Sequence, residues 1–280
     1  MLLKEKQLHL ESIILKLDSA LIAFSGGIDS TLVLAVANKL INGKVLAITA
    51  QSDSVSKREL YAAQQLAQKL GVQHQIIKTE EMSLSNYVNN PANRCYYCKS
   101  ELYTKLAKVA SQHKITKILN GTNADDLGDH RPGIKAAKEA GVISPLVDSR
   151  INKQDVRNLA RDMGLPNWRK PALACLSSRV PYGQPVTPKK LSMIEEAENV
   201  FLREGFQQIR VRHYGDMARI ELPKGDIPEL QKNGLYKKIK LYLNKIGFQT
   251  ITIDPKGYRP GSLNEALDLS GDKPSMERAT

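Results

Sequence analysis

At 280 residues the chain is long enough for one large domain or two modest ones, each with a real core. Its 41 lysines and arginines against 29 aspartates and glutamates give a net charge of +12, which points to anionic partners: nucleotides, phosphorylated substrates or RNA. Aromatic residues at 5% disfavour the stacking platforms of single-strand RNA binders, no apolar run reaches the roughly 18 residues that span a bilayer, and three cysteines, an odd count, speak against structural disulfides.

The opening "MLLKEKQLHLESIILKL" is charged throughout and reads as an amphipathic helix, not a signal peptide, so a cytoplasmic location is expected. Strand-like "ALIAF" then runs into "SGGIDS" and a helix from Ser30, and "KVLAITA" precedes the helix "SKRELYAAQQLAQKLG". Next come "QHQIIK", a helix from about Cys98 to His113, "KILNG", and a helix starting at Pro132. Such alternation implies an α/β fold, a doubly wound parallel sheet covered on both faces, with ligands beyond the carboxyl ends of the strands. The loops "SGGIDS", "AQSDSVS" and "NGTNADDLGDHRPG" each follow a strand.

After "KQDVRNLARDMGLPNW" the pattern changes. Residues 169–187, "RKPALACLSSRVPYGQPVTP" with its flank, carry several prolines and read as a long ordered loop bearing Cys175, the kind that in a compact protein is functional. Beyond it lie a helix from Pro188, "QIRVRHYG", "MARIELP", a helix near Ile227–Ile246 and "FQTITID". The expected organisation is a nucleotide domain over 1–168, the linker loop 169–187, and a smaller α+β domain over 188–268. The end, 269–280, has the composition of a flexible tail.

Two adjacent glycines at the end of a buried strand cost conformational entropy, and the compensating partner is an anion. Backbone N–H groups in a glycine turn at a helix N-terminus form a donor cup, to which the helix dipole adds. "SGGIDS" is neither a Walker loop nor a dinucleotide fingerprint, and as a bare pattern it reads equally as a Ser-capped turn. Placed between strand and helix, with Asp29 and Ser30 in the first turn, it resembles the signature of the PP-loop ATP pyrophosphatases, which cleave ATP between the α and β phosphates. That resemblance implies an ATP site of Ala23, Ser25, Gly26, Gly27, Asp29, Ser30, Gly121, Asp125, Arg131 and Arg179. Asp29, negative beside phosphate, makes sense chiefly as a ligand of Mg²⁺, with Asp126 as a second candidate. Asp125, Asp126 and Asp129 crowd one loop, where capping of the next helix is the plainer alternative.

Four stretches in order, "AFSGGIDSTLVL", "NGTNADDLGDHRPG", "GLPNWRKPALACLSSRVPYG" and "IRVRHYGDMARIELP", resemble the LarE family, ATP-dependent sulfur transferases of nickel-pincer nucleotide biosynthesis, with weaker agreement through "GYRPGSLNEAL". The resemblance implies adenylation of a carboxylate of pyridinium-3,5-biscarboxylic acid mononucleotide and its conversion to a thiocarboxylate. It also implies substrate contacts at Ser178, Arg179, Glu198, Arg210, Arg212 and Glu221, and a homo-oligomer, possibly a hexamer, built largely through the C-terminal domain. Without that context, Arg210 and Arg212, alternating on one strand face, read as solvated surface arginines.

Some members of the family sacrifice one cysteine at the position of Cys175. This chain adds Cys95 and Cys98 in "CYYC". Three soft thiolates can hold a [4Fe–4S] cluster and leave one iron free to carry sulfide, so the three are expected as cluster ligands and as catalytic residues with Asp29. The alternatives are a sacrificial Cys175, which leaves the pair needing another explanation, cysteines that simply pack, and zinc, which prefers four closed ligands that the chain does not supply. A tRNA thiolation enzyme of similar chemistry and a non-catalytic ATP sensor are the rival functions. The chain lacks zinc ribbons and RNA-binding appendages, so nucleic acid is not an expected partner, whereas sulfide or another sulfur donor is.

Overall fold

The computed structural model describes residues 1–128, 132–171, 174–259 and 262–263. Asp129, Arg131 and the expected tail lie outside them. The chain forms two compact units: residues 1–88 with 93–174, and residues 89–92 with 175–280.

The first unit is built on β1 (Ala20–Ala23), β2 (Val45–Gln51), β3 (Gln73–Lys78) and β4 (Ile118–Leu119), all parallel, in the order β3-β2-β1-β4. The near-continuous apolar strands β1 and β2 are covered on both faces, as parallel sheets require, while the edge strand β3 is more polar. Ala20, Ile22 and Ala47 pack into one core with residues of α1 (Leu3–Leu15), α2 (Ile28–Leu40), α3 (Lys57–Lys69) and α8 (Lys153–Asp162). Leu21, Leu46 and Ile48 point the other way, into a core with α5 (Arg94–Gln112) and α6 (Pro132–Glu139). Two short helices, α4 (Ser85–Val88) and α7 (Pro145–Asp148), complete the unit.

The chain steps from β1 to β2 to β3 through α2 and α3 on one face, and returns past β1 to β4 through α5 on the other. Right-handed crossovers force that change of face when the direction reverses. The order therefore switches between β1 and β4, and the crevice outside their carboxyl ends is where open α/β sheets bind ligands.

Several boundaries differ from the sequence reading. Helix α2 begins at Ile28, not Ser30, and α5 begins at Arg94, so that both Cys95 and Cys98 lie inside its first turns. Strand β4 is only two residues long, because Asn120 already turns its amide to the Ile143 carbonyl at 3.0 Å; Ile143 bridges Leu119 in parallel beyond it.

The second unit holds α9 (Pro188–Arg203), β5 (Arg210–Tyr214), β6 (Met217–Glu221) and β7 (Thr250–Ile253). Strands β5 and β6 are antiparallel, β6 and β7 parallel. Thr187 accepts from the Lys190 amide at 3.2 Å and Pro188 sits at the first helical position, a start signal for α9 written in the sequence. Val211, Ala218, Ile220 and Ile251 pack on Phe201, Leu243 and Phe248. The single helix expected over 227–246 is two, α10 (Ile227–Gln231) and α11 (Leu235–Ile246), broken before Gly234, whose φ of +69° a helix cannot continue through. Among the described residues no helix is long and apolar enough to cross a membrane.

Candidate functional site

In the first unit, Ala23 closes β1 and the chain turns at Ser25-Gly26-Gly27. Gly26 has φ +67°, and a Cβ there would stand 3.0 Å from Ala63 Cα of α3, so conformation and space both demand glycine. The turn is held from within: Ser25 Oγ accepts from the Gly27 amide at 3.3 Å, and Ser30 Oγ donates to the Gly27 carbonyl at 3.1 Å. From outside, Asn167 Nδ2 donates to the Gly26 carbonyl at 3.2 Å and to Thr31 Oγ1 at 2.9 Å, while Lys170 Nζ reaches the same carbonyl at 3.3 Å and Glu59 at 2.7 Å. With Gly27 at the N-cap, no side chain caps α2. Its first-turn N–H groups and dipole are offered to an anion.

The loop after β4 closes on this turn. Gly121 lies so near that a Cβ would fall 2.5 Å from the Ser30 amide nitrogen. Asn123 Nδ2 donates to Asp29 Oδ1 at 3.1 Å, and Lys153 Nζ pairs with Asp29 Oδ2. Asp126 is buried and accepts from the Asn123 amide at 3.0 Å, whereas exposed Asp125 accepts from the Lys153 amide at 2.9 Å. Asp126 thus organises its own loop as a cap does, while Asp125 ties that loop to the start of α8. Asp29 stands at the phosphate turn itself, and Asp126 is connected to it through Asn123. A cavity of about 590 Å³ opens beside Gly26; its Lys69, Arg169 and Lys170 add positive potential there.

Cys95 and Cys98, three residues apart in α5, share a helix face, and both are half-buried. Their helix packs on the element that follows the aspartate loop: a Cβ at Gly133 would stand 2.9 Å from Lys99 Cγ and 3.5 Å from the Cys95 carbonyl oxygen. One turn on, Asn120 Nδ2 donates to the Tyr103 hydroxyl at 3.4 Å. The cysteine pair and the nucleotide-side loops are therefore neighbours in one unit. Among the described residues no three or more of His, Cys, Asp and Glu gather at metal-binding distance.

The second unit brings the remaining predicted residues together. Cys175, exposed, precedes a 3-10 turn over Leu176–Arg179. Arg179 forks onto Glu198, Nε to Oε1 at 2.9 Å and Nη2 to Oε2 at 3.1 Å, and its Nη1 donates to the Cys175 carbonyl at 2.9 Å. Glu198 also accepts from the Val211 amide at 3.1 Å. Arg212 donates to the Ser178 carbonyl at 2.5 Å, to Glu221 at 2.8 Å and to Ser262 Oγ at 2.6 Å. Arg210 lies over the Tyr258 ring at 5.5 Å.

Arg210 and Arg212 are 8% and 5% exposed, which rules out the solvated-surface reading. Because β5 alternates, Val211 and His213 face the apolar core while the arginines share the opposite face with Glu221 of β6. Among the described residues, the buried guanidinium groups of Arg179, Arg210 and Arg212 gather with the buried carboxylates of Glu198 and Glu221. Burial and the nearby Arg179 depress the pKa of Arg210, partly offset by Glu198. An anion at this place would relieve that mutual repulsion.

Sequence reasoning missed Asn123, Lys153, Asn167, Lys170 and Ser262, and also Asn90. Asn90 belongs to the second unit, is fully buried at φ +55°, and donates to the carbonyls of Val180, Pro181 and Gln184 at 3.2, 2.7 and 3.0 Å. It orders the proline-rich loop from some ninety residues away. Asn123, Asn167, Lys170 and Ser262 lie in the stretches that carry the family resemblance, but nothing in those stretches singled them out.

Comparison with known proteins gives a family model described as "Queuosine biosynthesis protein QueC", matching residues 19–92, the segment with the phosphate turn. An uncharacterized protein of Synechocystis is 44% identical over 95% of this chain and 99% of its own length. The pyridinium-3,5-bisthiocarboxylic acid mononucleotide synthase of Lactiplantibacillus plantarum is 36% identical over 95% of this chain and 96% of its own. An uncharacterized protein of Methanocaldococcus jannaschii is 31% identical over 85% and 90%.

Proposed function

The chain belongs to the LarE family, that of the Lactiplantibacillus plantarum synthase, and on that premise we propose an ATP-dependent sulfurtransferase that acts on pyridinium-3,5-biscarboxylic acid mononucleotide. It adenylates a carboxylate, releases pyrophosphate and replaces the activated oxygen by sulfur, toward the nickel-pincer cofactor of lactate racemase. The observation that carries the reading is the uncapped N-terminus of α2 behind an obligatory glycine, with Asp29 in its first turn, at the β1–β4 switch point.

The first unit supplies the ATP chemistry. A carboxylate is a poor electrophile, so a substrate oxygen attacks the α-phosphorus and the bond to the β-phosphate oxygen breaks. The N–H groups of the turn and the α2 dipole receive the negative charge of the leaving pyrophosphate. Asp29 would hold Mg²⁺, which when bound neutralises charge on the phosphoryl oxygens. Sulfide attacking the acyl carbon gives the thiocarboxylate directly as AMP leaves with the original carboxylate oxygen, whereas a cysteine thiol gives a thioester whose Cβ–S bond must then break by elimination, leaving dehydroalanine on the protein. In the second unit, the buried cluster of Arg179, Arg210 and Arg212 suits the phosphate of the mononucleotide.

For the sulfur, the donor chemistry of Cys95, Cys98 and Cys175 fits a [4Fe–4S] cluster: three thiolates, two of them fixed on one helix face. When bound, such a cluster would supply sulfide at an iron without a protein ligand. The exposure of Cys175 also suits the second reading, in which its own sulfur is given up. Anaerobic purification with iron and acid-labile sulfide assays, followed by the intact mass after reaction, separates them. About four of each per chain and an unchanged protein mass support the cluster. No iron and a Cys175 short of its sulfur supports sacrifice. Failure to form any thiocarboxylate from substrate and ATP would sink the function itself. We also propose a homo-oligomer assembled through the second unit, whose α11 exposes Leu241 and Tyr242; a monomer in sedimentation would exclude it.

A further inference from the structure

We propose that Lys153 is the built-in counter-cation of the phosphate site, which neutralises Asp29 and passes to the polyphosphate of ATP when a divalent cation takes that carboxylate. The inference rests on the ATP-site reading and adds a residue and a coupling to it.

Lys153 is misplaced by local rules. It is the first residue of α8, where the helix dipole disfavours a cation. The helix start needs nothing from it: Asn152 accepts from the Asp155 amide at 2.8 Å and Asp155 returns the bond to the Asn152 amide at 3.1 Å. A local rule broken without structural gain is the mark of a functional position.

Its backbone is nevertheless held firmly at the phosphate site. Its amide donates to Asp125 at 2.9 Å, the Ala124 amide donates to the Ile151 carbonyl at 2.8 Å, and Asp155 pairs with Lys6 of α1 at 2.5 Å. From that anchored Cα the side chain crosses to Asp29, in a pair that is neither buried nor surface, with 29% and 20% of the two side chains exposed.

Both Asp29 oxygens are engaged, one by Asn123 and the other by Lys153. Each oxygen keeps a second lone pair, but an ammonium paired with one of them repels a divalent cation at the same carboxylate, so one donor has to give way for tight coordination. Asn123 is buried and its side-chain oxygen is tied to the Asp125 amide at 3.0 Å. The flexible lysine is the donor that can leave. Alone, the metal meets a competing ammonium; with nucleotide present, the displaced ammonium finds phosphate oxygens. Metal and nucleotide therefore assist each other's binding, a reciprocal coupling.

The test uses the full-length protein, Mn²⁺ as the paramagnetic probe and the α,β-methylene analogue of ATP, which cannot be cleaved at the reacting bond. In the wild type the analogue should tighten Mn²⁺ at least ~10-fold. In Lys153→Met, Mn²⁺ alone should bind about 10-fold more tightly than in the wild type, and coupling to the analogue should fall well below the wild-type value, to what direct contact between metal and phosphate supplies. Lys153→Gln guards against a folding defect, and Lys153→Arg should keep part of the coupling. Mn²⁺ affinity and coupling in Lys153→Met equal to wild type would reduce the pair to a surface ion pair and overturn the proposal. A wild type that binds no analogue overturns the nucleotide site itself, and the role of Lys153 with it.

Discussion

The two proposed anion sites, one in each unit, are built by opposite means. The first presents backbone: a glycine turn, an uncapped helix and one aspartate, with side chains such as Asn167 and Lys170 only bracing the loop from behind. The second presents side chains: three arginines and two glutamates, all under a tenth exposed, each carboxylate holding a guanidinium in a fixed pose. A backbone site is above all intolerant of added atoms. A side-chain network is above all sensitive to charge, since removing one charge leaves its partner buried and unpaired.

That contrast can be broken most forcefully at Glu198. Glu198→Ala strips the acceptor from Arg179 and from the Val211 amide at once, and the second unit should lose about 3–5 kcal/mol. Urea unfolding followed by a probe in that unit reads this; a loss below about 1 kcal/mol would mean the network is solvated in solution.

Gly121→Ala is the corresponding challenge to the first unit. Its Cβ would fall 2.5 Å from the Ser30 nitrogen, backbone against backbone, with nothing flexible to yield. Overpacking of this kind costs about 1–3 kcal/mol, and nucleotide affinity should fall with the first unit's stability while the second unit unfolds as before. Normal ATP affinity in this variant would separate the β4 loop from the site.

The smallest effect expected is a pH dependence. His213, stacked edge-on against Phe248, is held below its ordinary pKa of 6.5, chiefly by burial and then by Lys190. The unfolded chain therefore takes the proton first, and the second unit loses stability as pH falls below about 6.5. His213→Gln should flatten that slope in the second unit and leave the first unchanged, where His74, also depressed by burial, keeps its own. Equal slopes in wild type and variant would exclude His213 as the cause.

The same contrast explains what the sequence made legible. The phosphate turn could be read because its requirements are local: Ser25 to Ser30 close their own hydrogen bonds, and the glycines declare the backbone that needs them. The parallel sheet was readable from apolar runs alternating with helices. The arginine network could be named by residue but not by state, because what buries Arg212, Ser178 and Ser262 among others, lies 34 and 50 residues away. Asn90 and Lys153 carried no sequence signal at all. Their partners are brought close only by the fold, and an isolated lysine or asparagine is by default a solvated one. The break at Gly234 went unread because a lone glycine in an amphipathic pattern does not announce a positive φ.

The most direct test of the account follows an oxygen atom. The full-length protein, with ATP, Mg²⁺ and a sulfur source, is given pyridinium-3,5-biscarboxylic acid mononucleotide labelled with ¹⁸O in its carboxylates, and the products are read by mass spectrometry. The account predicts AMP carrying one labelled oxygen, in step with thiocarboxylate and with pyrophosphate. Label in inorganic phosphate with ADP as the nucleotide product, or AMP without label, would contradict activation of the carboxylate by adenylation.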